Sequence, residues 1–257
     1  MNNEERRKYL TRYLLDEGGY KDEIPSDEEG QRRLLRSLFN VRMPMETTEE
    51  FLKIQDEYLR EEIAKKGITD GETLCFKDDI AVWKGDITTL KVGAIVNAAN
   101  SRMLGCFAPC HYCIDNAIHT FSGIQLRSEC YDIMKRQGKE EPTGKAKLTR
   151  AYNLPCDYVL HTVGPIVYGE VTKKEENELA SCYESCLKLA EENGIKSVAF
   201  CCISTGVFSF PNEKAAEIAV KTVKGYKERT RSDIKIIFNV FKENDYEIYR
   251  RLLGYDR

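Results

Sequence analysis

The 257-residue chain has no run near the roughly 18 apolar residues that a membrane-spanning helix requires. Its first residues, Met1 to Tyr9, are polar and charged and lack the apolar core of a secretory signal. A cytoplasmic protein with no membrane partner is therefore expected. A basic excess is also missing: 39 Lys and Arg stand against 42 Asp and Glu. That balance disfavours a dedicated nucleic-acid binder, which needs clustered cations against phosphates. No internal repeat and no low-complexity tract is present. Neither a Walker A loop nor a GxGxxG loop occurs, so the two commonest phosphate cradles are excluded. Histidine is scarce, with only His111, His119 and His161. Cysteine is not: ten are present, and a cytoplasmic location makes them reduced, buried, metal-bound or catalytic rather than disulfide-bonded. Most lie in apolar runs such as Phe200–Ile203, where Cys acts as a small hydrophobe.

Residues 1–72 read as a helical N-terminal extension without Cys, His or a phosphate loop. The spacing predicts a helix over Arg7–Leu15, ended by Gly18-Gly19. Ser26 and Glu29 form a capping box before a helix through Leu34, Leu35, Leu38 and Phe39. Thr47 and Glu50 repeat the box before Phe51, Ile54, Tyr58 and Leu59, with Gly67 as the stop. Residues 73–257 change character, and short apolar runs now alternate with helical patterns. Strands are predicted at Ile80–Trp83, Ala94–Val96, Lys147–Tyr152, Tyr158–Val163, Ser197–Ile203 and Lys235–Val240. Helices are predicted at Cys113–Cys130, Glu175–Asn193, Glu213–Arg229 and Asn244–Leu253. Runs with so little polar alternation are buried on both faces, which implies an α/β sandwich around a parallel or mixed sheet. Ligands in such folds bind at the carboxyl ends of strands.

Three loops after predicted strands have unusual compositions. In Lys84–Thr88, Asp86 either caps a helix or accepts a hydrogen bond from a purine amine, with the Ile87 N–H reaching a ring nitrogen. In Asn97–Asn100, the amides either satisfy the loop backbone or bind sugar hydroxyls. In Ser204–Pro211, Gly206 lets the backbone turn, and successive N–H groups ahead of a helix suit a diphosphate. Phe208 and Phe210 there are either core residues or the wall of a ribose pocket.

A fourth stretch, Gly105–Asn116, packs three Cys and one His into eight residues, Cys106 to Cys113. Such short spacing favours zinc. Cys110 and His111 are adjacent and do not both reach one ion comfortably. Cys106, His111 and Cys113 would leave a fourth position open, as catalytic zinc requires, with Cys110 a rival ligand. A purely structural zinc, or coincidence, is the alternative. Asp115 and Asn116 either cap the following helix or support the ligands from behind. His119 and His161 read as structural.

The order KGDIT, IVNAAN, HTVGP, STGVFSFP resembles the macrodomain family over roughly Phe76–Gly254. The resemblance implies a three-layer α/β sandwich with a central mixed sheet and an ADP-ribose cleft. It places adenine on Asp86 and Ile87, and the distal ribose on Asn100. It puts the diphosphate and distal ribose on Ser204, Thr205, Gly206, Val207 and Phe208, and an aromatic stack on Phe241. The Cys/His loop is similar to that of the zinc-dependent macrodomains of bacterial type, which also carry a helical N-terminal extension. That resemblance implies a zinc ion on Cys106, His111 and Cys113, and hydrolysis of mono-ADP-ribose from protein side chains, ester-linked to carboxylates. It further implies a sirtuin-type transferase and a lipoyl-carrier protein as partners. The competing expectations are a non-catalytic ADP-ribose reader and an O-acetyl-ADP-ribose deacetylase.

Overall fold

The computed structural model describes residues 1–255. Helix α1 (Asn3–Gly18) starts earlier than Arg7, because Asn2 and Glu5 form a reciprocal capping box. Helices α2 (Glu28–Val41) and α3 (Glu49–Lys66) are capped by Asp27 and Thr48, each one residue after the cap expected from sequence. The shift has a physical reason at Thr47: its hydroxyl is engaged by Tyr13, which leaves Thr48 to accept from the Phe51 N–H. At the other site Asp27 matches Ser26 as a cap and adds the negative charge that a helix start favours. The three helices share an apolar cluster of Leu10, Leu35, Leu38, Phe51, Tyr58 and Leu59. Ile124 and Phe121, from the far side of the chain, close it.

The remaining elements follow as β1 (Thr69–Asp70), β2 (Ile80–Lys84), β3 (Leu90–Lys91), β4 (Ala94–Ala99), α4 (Ile114–Ser122), α5 (Ile124–Gln137), β5 (Ala146–Arg150), β6 (Tyr158–Val163), α6 (Lys173–Glu192), β7 (Ser197–Phe200), α7 (Asn212–Thr230), β8 (Lys235–Val240) and α8 (Glu243–Leu253). Strands β1 and β3 form a small parallel pair. The main sheet has the order β2-β8-β7-β4-β6-β5, parallel throughout except for the antiparallel edge pair β5–β6. It is therefore mixed. Neighbouring residues on β6 point to opposite layers, as strand geometry dictates. His161 lies beside Cys130 of α5, whereas Thr162 faces the Cys182 thiol of α6. Helices thus cover both faces, and the core is built on Ile95, Val96, Leu160, Val198, Phe200, Ile236 and Phe238.

Two predicted elements are corrected. The helix expected over Cys113–Cys130 is two helices, broken at Gly123. Its φ of +98° is left-handed, and a Cβ there would meet the Gln55 and Gln125 side chains at 2.8 and 2.6 Å. The strand expected over Ser197–Ile203 ends at Phe200, and the chain then turns toward Ser204 at φ +65°.

Candidate metal centre and ligand cleft

Four adjacent parallel strands, β2, β8, β7 and β4, end beside one another, and their exits carry the predicted site residues. Asp86 and Ile87 follow β2, Phe241 follows β8, Ser204–Phe208 follow β7, and Asn100 follows β4. Asp86 caps the short turn Ile87–Thr89, accepting from the Thr88 N–H at 3.0 Å and hydroxyl at 2.6 Å. Its other oxygen accepts from Lys66 of α3 at 2.9 Å. Burial pushes this carboxyl up, but the Lys66 and Thr88 hydrogen bonds outweigh burial and hold it below its usual range. Ile87 is buried beneath the turn, and Phe241 is 79 % exposed.

The loop after β7 turns at Gly206, whose carbonyl accepts from the Ser209 N–H at 3.1 Å, but the glycine does not supply the left-handed backbone. Gly206 has an ordinary φ, and a Cβ there meets nothing within 4 Å. The left-handed residues are Ser204 and Ser209. Ser204 Oγ is buried without a partner, pressed against Gly164, where a Cβ would clash with it at 2.1 Å. Gly164, to which the HTVGP motif gave no role of its own, makes room for that hydroxyl. Thr205 Oγ1 donates to the Cys202 carbonyl at 3.0 Å, Val207 is exposed, and Phe208 is half-buried. Phe210 is core.

Asn100 is engaged by its own loop. Its Nδ2 donates to the Gly105 carbonyl at 3.1 Å and to Asp115 at 3.3 Å, and its Oδ1 accepts from the Arg102 N–H. Between β4 and α4, the loop brings the Cys106 and Cys113 sulfurs and a His111 ring nitrogen within 4.8 Å of one another. The Cys106 Sγ–His111 Nδ1 separation is 3.6 Å. Zinc held by a thiolate at about 2.3 Å and an imidazole at about 2.0 Å puts those atoms roughly 3.5 Å apart in tetrahedral geometry. The spacing fits. Burial, and then the neighbouring Cys106 and Asp115 against one Asn116 N–H bond, pushes the Cys113 thiol up to about 12. A cation between the sulfurs reverses that preference. Cys110 is turned away at φ +53°, its sulfur against Ser37 Oγ at 3.2 Å. Tyr112, between two candidate ligands, is 99 % exposed.

Behind the loop lies a second group with metal-compatible spacing, His119, Cys130 and His161, all buried. A metal can therefore be held at either group. In the second, His161 already bonds Asn97 through Nδ1 at 3.1 Å and Thr149 through Nε2 at 2.9 Å. Burial drives its pKa down to about 3. Asp115 links the two groups. It accepts from Asn97 at 2.8 Å and lies 3.5 Å from His119 Nε2, and burial pushes its carboxyl up to about 6 against Asn97, Arg127 and Asn100.

The Macro domain family model matches residues 96–219, downstream of the three N-terminal helices. A protein-ADP-ribose hydrolase of Treponema medium is 58 % identical over 261 residues, covering 99 % of this chain and 100 % of the relative. One from Staphylococcus aureus is 47 % identical over 260 residues, covering 99 % and 97 %. Among solved structures, the Trypanosoma brucei macrodomain in complex with ADP-ribose superposes with a TM-score of 0.66. It is 31 % identical, with 85 % of this chain and 95 % of that chain covered. The Oceanobacillus iheyensis macrodomain with ADP gives 0.62 at 35 % identity, covering 68 % and 90 %. Strand exits, sheet order and full-length similarity agree: the chain belongs to the macrodomain family.

Proposed function

We propose that the protein is a zinc-dependent hydrolase that removes mono-ADP-ribose from modified protein side chains, with ester-linked carboxylates as the acceptor class. The observation that carries this reading is the half-buried Cys106, His111, Cys113 group at the β4 exit, beside the strand ends where macrodomains carry their ligand. The full-length relatives named as protein-ADP-ribose hydrolases support the reaction class. The half-buried group is preferred to His119, Cys130 and His161, which lie sealed in the core with both His161 nitrogens engaged. The two-part organisation, a helical extension over 1–72 and a macrodomain with its metal loop over 73–257, belongs to the same reading.

The roles follow from the strand exits. Asp86 Oδ2 has one protein donor and retains acceptor capacity for an adenine amine. The N–H groups of Ser204–Phe208, ahead of α7, suit the diphosphate, and Phe241 offers an exposed ring to the base. Asn100 would reach a ribose only by exchanging a loop bond for a ligand bond. Cys106, His111 and Cys113 would hold the metal near the proximal ribose. Bound there, zinc supplies a Lewis acid able to activate water or polarise an oxygen of the scissile bond. Two thiolates offset its charge and soften it. A lipoyl-carrier protein modified by a sirtuin-type transferase is the proposed substrate partner.

Incubation with a mono-ADP-ribosylated protein, with O-acetyl-ADP-ribose and with free ADP-ribose tests the proposal. Release of ADP-ribose from the protein conjugate is the expected result. Tight binding of free ADP-ribose without release would make the protein a reader. Turnover of the acetylated nucleotide alone would make it a deacetylase.

A further inference from the structure

The three candidate ligands sit on an irregular loop that belongs to no strand, so something outside the loop must fix their directions. The contacts converge on two residues. Asn116, fully buried, donates through Nδ2 to the carbonyls of Cys106 at 3.4 Å and Ala108 at 3.0 Å. Its backbone N–H donates to Cys113 Sγ at 3.4 Å. Its Oδ1 accepts from Arg36 through Nη2 at 2.8 Å and Nε at 3.3 Å. The same Nη2 donates to the His111 carbonyl at 3.1 Å. Each candidate ligand residue is therefore one hydrogen bond from Asn116 or Arg36.

Arg36 lies on α2, in the N-terminal extension. We propose that Arg36 and Asn116 are positioning residues for the metal ligands, which makes α2 a working part of the metal centre. This rests on the metal reading above. A guanidinium suits the task because its planar fork holds two acceptors in fixed geometry, which a lysine ammonium does not. A second tether from α2 acts on the same loop. Asn40 Oδ1 accepts from the Cys110 N–H at 2.8 Å, and its Nδ2 donates to Thr120 at 2.9 Å. With Ser37 on the Cys110 sulfur, α2 draws Cys110 out of the ligand group and leaves Cys106, His111 and Cys113 facing one another. Partners behind metal ligands commonly change metal affinity about 10- to 100-fold.

The test uses full-length protein loaded with one equivalent of zinc and follows zinc release to a chromophoric chelator. Arg36→Gln should release zinc about tenfold faster or more. Arg36→Lys should fall between it and the wild type, while Arg33→Gln, an exposed position on the same helix, should match the wild type. ADP-ribose affinity measured by calorimetry should stay within about threefold, since Arg36 contacts no proposed nucleotide residue. A melting curve separates the alternatives: lower stability with wild-type release would mean that Arg36 only ties the extension down, and would overturn the inference. If Arg36→Gln does not fold, Arg36→Lys decides, and wild-type release from it overturns the inference equally. A wild-type protein that takes up no zinc would instead remove the metal reading, and this inference with it.

Discussion

Replacing Asp86 by Ala separates the carboxylate's duty in the fold from its duty to a ligand. In the fold it caps a short turn through Thr88 and pairs with Lys66. Loss of such a cap costs about 0.5–2 kcal/mol. The Lys66 pair adds little: the Asp86 side chain is 38 % exposed, and pairs of that kind contribute roughly 0–1 kcal/mol. The sum, about 0.5–3 kcal/mol, corresponds to a fall of roughly 1–12 °C in Tm for a chain of this size. A hydrogen bond from a ligand amine to a carboxylate is worth about 1.5–3 kcal/mol, so ADP-ribose affinity should fall tenfold or more. Lys66→Ala is the control. It removes the pair, leaves the Thr88 bonds and should keep affinity within about threefold. Calorimetry and thermal melts supply both readouts. Wild-type ADP-ribose affinity in Asp86→Ala would refute the adenine assignment. Equal affinity losses in the two variants would mean that the Lys66–Asp86 pair, which both remove, matters rather than a carboxylate bond to adenine.

Gly206→Val should leave Tm unchanged, because a Cβ there has open space and the φ is ordinary, yet it should weaken ADP-ribose binding by obstructing the loop's approach to a diphosphate. A lower Tm, or unaltered binding, would contradict that. Stability should also depend on acid through the buried histidines. His161 is held neutral, its pKa lowered from 6.5 to about 3, and His119 is lowered as well, so the stability they contribute is present above pH 6.5 and lost as pH falls toward 3. Asp115, raised from 3.8 to about 6, acts in the opposite sense: its contribution is present below pH 3.8 and lost as pH rises through 6. Near pH 5 the two imidazoles, which take up protons on unfolding, outnumber the one carboxyl that releases a proton, so stability rises with pH. Urea midpoints against pH should show this slope flattened in His161→Gln, and an unchanged slope would refute it.

The sheet was legible because strands buried on both faces are near-continuous apolar runs; Val159–Val163 and Ile236–Val240 read that way without any tertiary information. The order of loop motifs after those strands was legible too. The break at Gly123 was not, because a lone glycine inside a helical pattern is usually tolerated, and only the Gln55 and Gln125 side chains crowding it reveal the left-handed turn. Cap positions missed by one residue wherever two capping side chains stand together, as at Thr47-Thr48. Gly206 marked the turn by residue type, and the chain turns there, but Ser204 and Ser209 take the left-handed geometry, which residue type did not indicate. In the metal loop, spacing could name four donors but could not turn Cys110 away, since Ser37, Asn40 and Arg36 act from 73, 70 and 75 positions upstream of their partners. Long-range polar contacts of that kind leave no periodic signature. A half-buried arginine on an amphipathic helix looks like any solvated charge until its partners are known.

A metal held by Cys106, His111 and Cys113, as proposed, would serve chemistry rather than binding. Contacts to adenine and diphosphate are made equally in ground and transition states, so a ligand lost at the reacting end should cost turnover and spare affinity. His111→Ala is the decisive variant, compared with the wild type for ADP-ribose release from a mono-ADP-ribosylated protein and for ADP-ribose affinity, on material shown to be folded by circular dichroism. Release should be abolished while affinity stays within about tenfold, a change of roughly 1.4 kcal/mol. Wild-type release from the folded variant would contradict it. Joint loss of release and binding would make the metal a brace for the pocket and not a participant in the reaction.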